Sequence, residues 1–388
     1  MVDDSLYALR KLIVPEVVFG AGALRLVGQY AVNFNLTHCL VVTDAGVASA
    51  GWSGSVVDAL QAHGVSSTVF SDISANPRDT EVRQGVAVYR AAGCDGIVAV
   101  GGGSPMDCAK GIGLMVSGGR DVLEYEGVDK VEVPAPPLIC IPTTAGTSAD
   151  VSQFAIINDA RRRLKIAIVS KSAVPDLALV DPSTTLSMPP RLTASTGLDA
   201  LCHAVEAYCS TVSSPMTDLF ALRAMRLIGA NLQNVLDNPQ DMAARENMML
   251  ASMYAGFAFS NAILGAVHAM AHGLGGLLDM PHGECNAILM PHVVRANCQV
   301  VPARCADIAQ ELGFAGAPSG ADALGDFLHD RLLDMRRRAG VTATLGTMGM
   351  KREDIPSLAR NAMHDACMLT NPRRFTLQEV EALYLEAF

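Results

Sequence analysis

Asp199 and His203 stand four residues apart in Gly197-Leu-Asp-Ala-Leu-Cys-His-Ala-Val-Glu-Ala-Tyr208, a segment of helical composition. Side chains at that spacing share one face of a helix, one turn apart. His268 and His272 repeat it in Val267-His-Ala-Met-Ala-His-Gly273, and His282 follows in Met280-Pro-His-Gly283. Two helix faces and a loop can therefore present one carboxylate and three imidazoles to a single point. Such a mixture of nitrogen and oxygen suits a divalent transition metal such as iron or zinc, and is too nitrogen-rich for calcium or magnesium. Taken singly, each histidine is more often a hydrogen-bonded core residue than a ligand. Yet three of the nine histidines fall within fifteen residues of apolar sequence, and burying imidazoles there costs free energy unless something satisfies them.

A second constellation is Gly101-Gly102-Gly103-Ser104-Pro105-Met106-Asp107, which directly follows the apolar run Gly96–Val100 and opens a helical segment through Ala109 and Ile112. Glycines let a backbone approach a ligand closely, and a helix start offers free N–H groups and a partial positive charge, so a pyrophosphate fits here. Ser104 is the expected cap of that helix, with Pro105 at its first position. The plainer alternative is a tight strand-to-helix turn, which needs one or two glycines rather than three. Asp44 closes the first strand of the sheet. A carboxylate there can accept hydrogen bonds from both ribose hydroxyls of an adenosine and repel a 2′-phosphate, which favours NAD over NADP; alone it reads as a helix cap. Phe19-Gly20-Ala21-Gly22-Ala23-Leu24-Arg25 only begins like a dinucleotide fingerprint, because Arg25 stands where the third glycine belongs. It is expected to be a turn at the end of an N-terminal hairpin.

The elements that must position these groups change character along the chain. Leu40–Val42, Val65–Phe70, Gly96–Val100, Leu138–Ile141, Ile166–Val169 and Leu177–Val180 are short apolar runs, with helical stretches at Val56–Ala62 and Glu81–Ala92. That alternation predicts βαβ units and a parallel sheet covered on both faces. Beyond Asp181-Pro182 to Pro189-Pro190, Ala/Leu/Met-rich segments take over. One opens at Ser214-Pro215 and keeps a helical period through Leu219, Leu222, Met225, Ile228, Leu232 and Val235. The expected division is an α/β dinucleotide-binding domain over residues 1–187 and an all-α metal-binding domain over 188–388.

A chain of 388 residues, half of it hydrophobic and 18% charged, can bury a large core. Its 29 basic and 39 acidic residues give a net charge of −10, the wrong sign for a nucleic-acid or anionic-membrane partner. None of the ten cysteines forms a Cys-x-x-Cys pair, which argues against a zinc ribbon, a thioredoxin-type site or an iron–sulfur cluster. They read as reduced core thiols of a cytoplasmic protein. The start Met-Val-Asp-Asp has no basic n-region or apolar h-region, and no window approaches 18 apolar residues, so neither a leader nor a membrane span is expected.

Together, Asn76-Pro, Gly101–Asp107, Ile141-Pro-Thr-Thr-Ala-Gly-Thr147, the Asp199/His203 segment, the His268–His282 segment and Asn371-Pro-Arg373 make the chain resemble the iron-containing (group III) alcohol dehydrogenases, essentially end to end. Within them it is similar to the lactaldehyde reductases (1,2-propanediol oxidoreductases). The resemblance implies a dehydroquinate synthase-like architecture with cofactor and metal facing each other across an interdomain cleft, and a homodimer or larger homo-oligomer. It implies metal ligands Asp199, His203, His268 and His282, with Fe²⁺ first and zinc possible, and His272 as an additional active-site histidine. NAD contacts then fall on Asp44, Asn76, Gly101, Gly102, Gly103, Ser104, Asp107, Thr143, Thr144, Thr147, Ile156 and Lys165. The implied reaction is hydride transfer between NAD(H) and a small primary alcohol or diol and its aldehyde. Phe154, Phe259 and Cys367 map near the substrate. Phe154 replaces a polar asparagine of the lactaldehyde reductases, which favours a less hydroxylated substrate. Two rivals remain: a dehydroquinate synthase-like NAD- and metal-dependent lyase, which needs several Lys and Arg in its pocket, and a non-catalytic NAD or metal sensor.

Overall fold

The computed structural model describes residues 11–388. Among the described residues nine strands lie in the first half: β1 (Glu16–Phe19), β2 (His38–Val42), β3 (Ser66–Phe70), β4 (Gly96–Gly101), β5 (Gly127–Val128), β6 (Leu138–Pro142), β7 (Phe154–Asp159), β8 (Leu164–Val169) and β9 (Leu177–Val180). Six of them form one sheet in the order β1-β9-β6-β4-β2-β3, with every pair parallel. Alternation along the strands sends Cys39, Val41, Val98, Val100, Ile139 and Ile141 into one core, beside the helices Val27–Asn33 and Trp52–Ala62. Leu40, Val42, Ile97, Ala99 and Cys140 enter another, beside Asp79–Ala92 and Gly103–Gly118. A parallel sheet buried on both faces follows from these near-continuous apolar strands. The strand order reverses between β2 and β4, and at such a switch point the carboxyl ends of the strands open a crevice.

Three expectations change. The run Ile166–Val169 belongs to β8 of a separate three-stranded sheet, β5-β8-β7, and pairs antiparallel with β7. Residues 160–163 are too short a link for a crossover and close a hairpin, with Arg163 at φ 53°. Around Gly20–Gly22, β1 is parallel to β9 and the turn leads into a 3₁₀ helix, Ala23–Leu26, whose Gly22 and Leu24 amides donate to the Asp181 carboxylate. It is a strand-to-helix turn rather than the end of a hairpin, and any strand before residue 11 lies outside the described residues. Finally, Ser104 does not cap the glycine-loop helix, as the site geometry shows below.

From Pro190 onward the described chain is helical. Ser214 caps the helix Pro215–Asp237 as expected, accepting from the Thr217 amide. The helices Met242–Ala262 and Ala266–Leu278 meet at a 99° bend. No single helix among the described residues is long and apolar enough to cross a membrane. All ten cysteines are free and buried.

Candidate active site

The helix Gly103–Gly118 starts where β4 ends. Its N-cap is Gly102, which has no side chain to block the first turn, and the Ser104 hydroxyl instead donates to the Ala75 carbonyl at 2.5 Å. Both glycines sit closely against threonine side chains. A Cβ on Gly102 would lie 3.2 Å from Thr144 Cγ2, and one on Gly103 would lie 3.1 Å from Thr147 Cγ2. Thr143 joins the same rim by donating its amide to the Gly101 carbonyl at 2.9 Å, and the buried Thr144 Oγ1 has no protein partner. A helix start with unblocked amides beside an unpartnered hydroxyl suits a pyrophosphate.

Asp44 caps the short helix Ala45–Ser49 through the Val47 amide (2.9 Å), as its isolated reading predicts. The β7–β8 hairpin brings Ile156 and Lys165 to the same cleft, and its turn contacts the second half of the chain. A Cβ on Gly275 would meet Lys165 Cε at 2.6 Å, and one on Gly276 the Lys165 amide nitrogen at 2.9 Å. These two glycines let the helix Ala266–Leu278 lie directly on β8. Burial lowers the Lys165 ammonium from its usual range and pushes the Asp107 carboxyl up to about 6, against the pull of Lys110 and Lys165. Asn76 donates across the cleft to Asp279 Oδ1 at 2.6 Å.

Asp199 and His203 sit on the buried face of the helix Pro190–Cys209, His268 and His272 on the helix Ala266–Leu278, and His282 opens the helix His282–Asn297. Asp199 Oδ1 is 3.7 Å from His268 Nε2 and 4.0 Å from His282 Nε2. Donor atoms about 2.0–2.2 Å from a common ion lie at such mutual separations, so these three side chains fit a metal. His203 stacks on His268 with ring centroids 4.6 Å apart, and its Nδ1 faces the Gly146 carbonyl at 3.2 Å. Donation to that carbonyl fixes the tautomer that leaves Nε2 unprotonated, while the His203 nitrogens fall outside the Asp199, His268 and His282 group. Burial lowers His203 to about 4 and His282 well below its usual value, which leaves both imidazoles neutral. Burial would raise Asp199, but the imidazoles of His203, His268 and His282 hold it below the usual carboxylate range. Asn286, one turn after His282, donates to Asp199 Oδ1 at 2.7 Å.

His272 lies outside this group. Its Nδ1 faces Asp365 Oδ2 at 2.8 Å, and its ring stacks on His282 with centroids 5.6 Å apart. Phe259 stacks on His203 at 4.4 Å and meets Phe154 at 5.8 Å, forming an apolar wall. One cavity is lined by Asn76, Gly103, Ser104, Asp107, Thr147, Ile156 and Lys165 from the first half of the chain. Asp199, His203, His268, His272, His282, Phe154, Phe259 and Cys367 line it too. Asp44, Gly101, Gly102, Thr143 and Thr144 are not on its wall.

Sequence reasoning passed over Glu206, Asn286, Asp365 and Gly146. Glu206 was within reach, since it lies three residues after His203 on the same helix face. Asp365 is 93 residues from His272, and only the fold pairs them.

Residues 15–182 match the family model "Iron-containing alcohol dehydrogenase" and residues 193–388 match "Fe-containing alcohol dehydrogenase family, C-terminal". Alcohol dehydrogenase 4 of Saccharomyces cerevisiae (strain YJM789) is 40% identical over 97% of each chain. Lactaldehyde reductase of Escherichia coli (strain K12) is 34% identical over 98% of this chain and 100% of its own length. A crystal structure of a 1,3-propanediol oxidoreductase superposes with a TM-score of 0.95 at 38% identity, covering 98% of this chain and 100% of its own. The chain belongs to the iron-containing alcohol dehydrogenase family and is an oxidoreductase.

Proposed function

We propose that the chain transfers a hydride between NAD(H) and a small primary alcohol or diol and the matching aldehyde, using a divalent metal, iron first, held by Asp199, His203, His268 and His282. The observation that carries this reading is the single cavity lined by both the glycine-loop residues and the imidazole cluster. The proposed division of labour is by domain, with residues 1–187 holding the nucleotide and 188–388 the metal. When bound, the metal lowers the pKa of the substrate hydroxyl and the nicotinamide accepts the hydride. The glycine-loop amides, Thr144 and Lys165 orient the nucleotide, and holding the reactants in place supplies much of the rate. Asp365 engages His272 Nδ1, which leaves Nε2 as the nitrogen that passes the hydroxyl proton outward. Phe154, Phe259 and Cys367 enclose the substrate end in apolar surface, so a hydroxyl on the neighbouring carbon finds few partners. We place the enzyme in the cytoplasm as a homodimer or larger homo-oligomer.

The test is purified protein with NAD and a panel of short alcohols and diols, followed at the NADH absorbance, and repeated after chelation and reloading with iron, zinc or manganese. Activity should vanish on chelation, return with metal and favour unbranched primary alcohols. Metal-loaded protein that makes no NADH from any alcohol, and consumes none with any aldehyde, overturns the proposal. The lyase alternative needs several cations around the substrate. Among the described residues only Lys165 lines the cavity as a lysine or arginine.

Asp44 supplies a separate prediction. Asp44→Gly removes the carboxylate expected to repel a 2′-phosphate, so the kcat/KM ratio for NAD over NADP should fall at least tenfold. An unchanged ratio would leave Asp44 a helix cap alone.

A further inference from the structure

We infer that Glu206 is a positioning residue that fixes His268 as a metal ligand, an inference that rests on the metal reading above. Glu206 is 5% exposed, and its two carboxylate oxygens serve different donors. Oε2 lies 2.5 Å from His268 Nδ1, and Oε1 accepts from the Val267 amide at 2.7 Å. The first contact holds the Nδ1–H tautomer, which leaves Nε2 unprotonated and aimed toward Asp199 and His282. The second fixes the carboxylate to the first turn of the ligand helix, where free amides and the helix dipole favour an anion. One residue therefore sets both the ring's tautomer and the position of the helix that carries it.

The surroundings are built for this arrangement. Asn371 Oδ1 takes the neighbouring Ala266 amide at 3.1 Å and the Asn297 side-chain amide at 3.0 Å, so it is already occupied. A Cβ on Gly265 would lie 2.8 Å from Glu206 Oε1 and 2.9 Å from Asn371 Oδ1, closer than a side-chain carbon can sit. The Cys202 thiol also faces His268 Nδ1, at 3.8 Å, and is the weaker competitor.

Glu206→Gln keeps the shape but leaves one acceptor for two donors. If its NH₂ group faces His268, the imidazole must shift to the Nε2–H tautomer, which puts a proton where the metal binds. If it faces Val267, two N–H groups oppose each other and the helix start moves. Zn²⁺ affinity, measured by chelator competition on the apoprotein, should weaken about 10–100-fold, while NAD binding stays within twofold. Long-range ¹H–¹⁵N spectra of histidine-labelled wild type, with His268→Ala for assignment, taken without metal at a pH high enough for a neutral ring, should show His268 in the Nδ1–H form. The inference is overturned if Glu206→Gln binds Zn²⁺ as tightly as wild type, or if wild-type His268 carries its proton on Nε2. Should the variant fail to bind NAD, the wild-type tautomer decides. Wild type that binds no divalent metal would sink the parent reading as well, which separates the two failures.

Discussion

His268→Ala should lose turnover by roughly a thousandfold or more, and metal content with it, while NAD affinity stays near that of wild type. The magnitude follows from the chemistry: a metal supplies several kcal/mol of stabilisation to the developing oxyanion, and each 1.36 kcal/mol is a factor of ten. His268 is 1% exposed, and its Nε2 is the donor nearest Asp199 among the clustered imidazoles. Its removal leaves a gap that water can fill and takes one of two donors from the buried Glu206 carboxylate, which keeps the Val267 amide, so Tm should fall while the fold persists. NAD binding is expected to survive because the glycine loop, Thr144 and Lys165 are held by other elements. Metal analysis, isothermal titration with NAD and a steady-state assay check the three parts separately. A variant that retains activity and metal would show the site to be wrongly assigned.

The second large effect is expected from a residue that touches no ligand. A Cβ at Gly283 would lie 2.6 Å from the Ser195 carbonyl oxygen and 3.0 Å from its carbon. Backbone cannot swing aside as a flexible side chain can. Gly283→Ala must therefore push the start of the helix His282–Asn297 away from the helix Pro190–Cys209, and so separate His282 from Asp199. Overpacking of this kind costs about 1–3 kcal/mol of stability, which a lowered Tm would show, and metal affinity should fall in parallel. Gly54→Ala is the matched control: that glycine is helical with nothing within 4 Å of its added carbon. It should be neutral or up to about 1 kcal/mol stabilising. Equal behaviour of the two variants would refute the packing argument.

The cluster was partly legible, because four-residue spacing on a helix sets Asp199 beside His203 and His268 beside His272, but the structure brings Asp199, His268 and His282 to metal-binding separations, a grouping across three helices. The glycine loop was legible for a similar reason, since a strand, three glycines and a helix form one local unit. What escaped depends on long-range pairing. The β7–β8 hairpin looked like part of the parallel sheet because Ile166–Val169 has the same apolar texture as a buried strand, and only its partner distinguishes it. Ser104 looked like a cap by type, yet Gly102 holds that position and the hydroxyl reaches Ala75 instead. The pairing of His272 with Asp365 had no local signature at all.

The sharp corner between Met242–Ala262 and Ala266–Leu278 has a consequence for how this chain can vary. Ile263 turns it with φ 60° and ψ −171°, a conformation normally left to glycine and costing of order 1–3 kcal/mol, tolerated where neighbouring structure over-determines it. The next helix starts within three residues, and each residue added or deleted there would rotate His268 by about 100° around the helix axis. Length changes at exposed loops leave the chemistry untouched, but a single-codon insertion or deletion between 263 and 267 would turn the imidazole away from Asp199 and His282. This elbow is where the register of the helix that carries His268 is mechanically indexed to the helix before it.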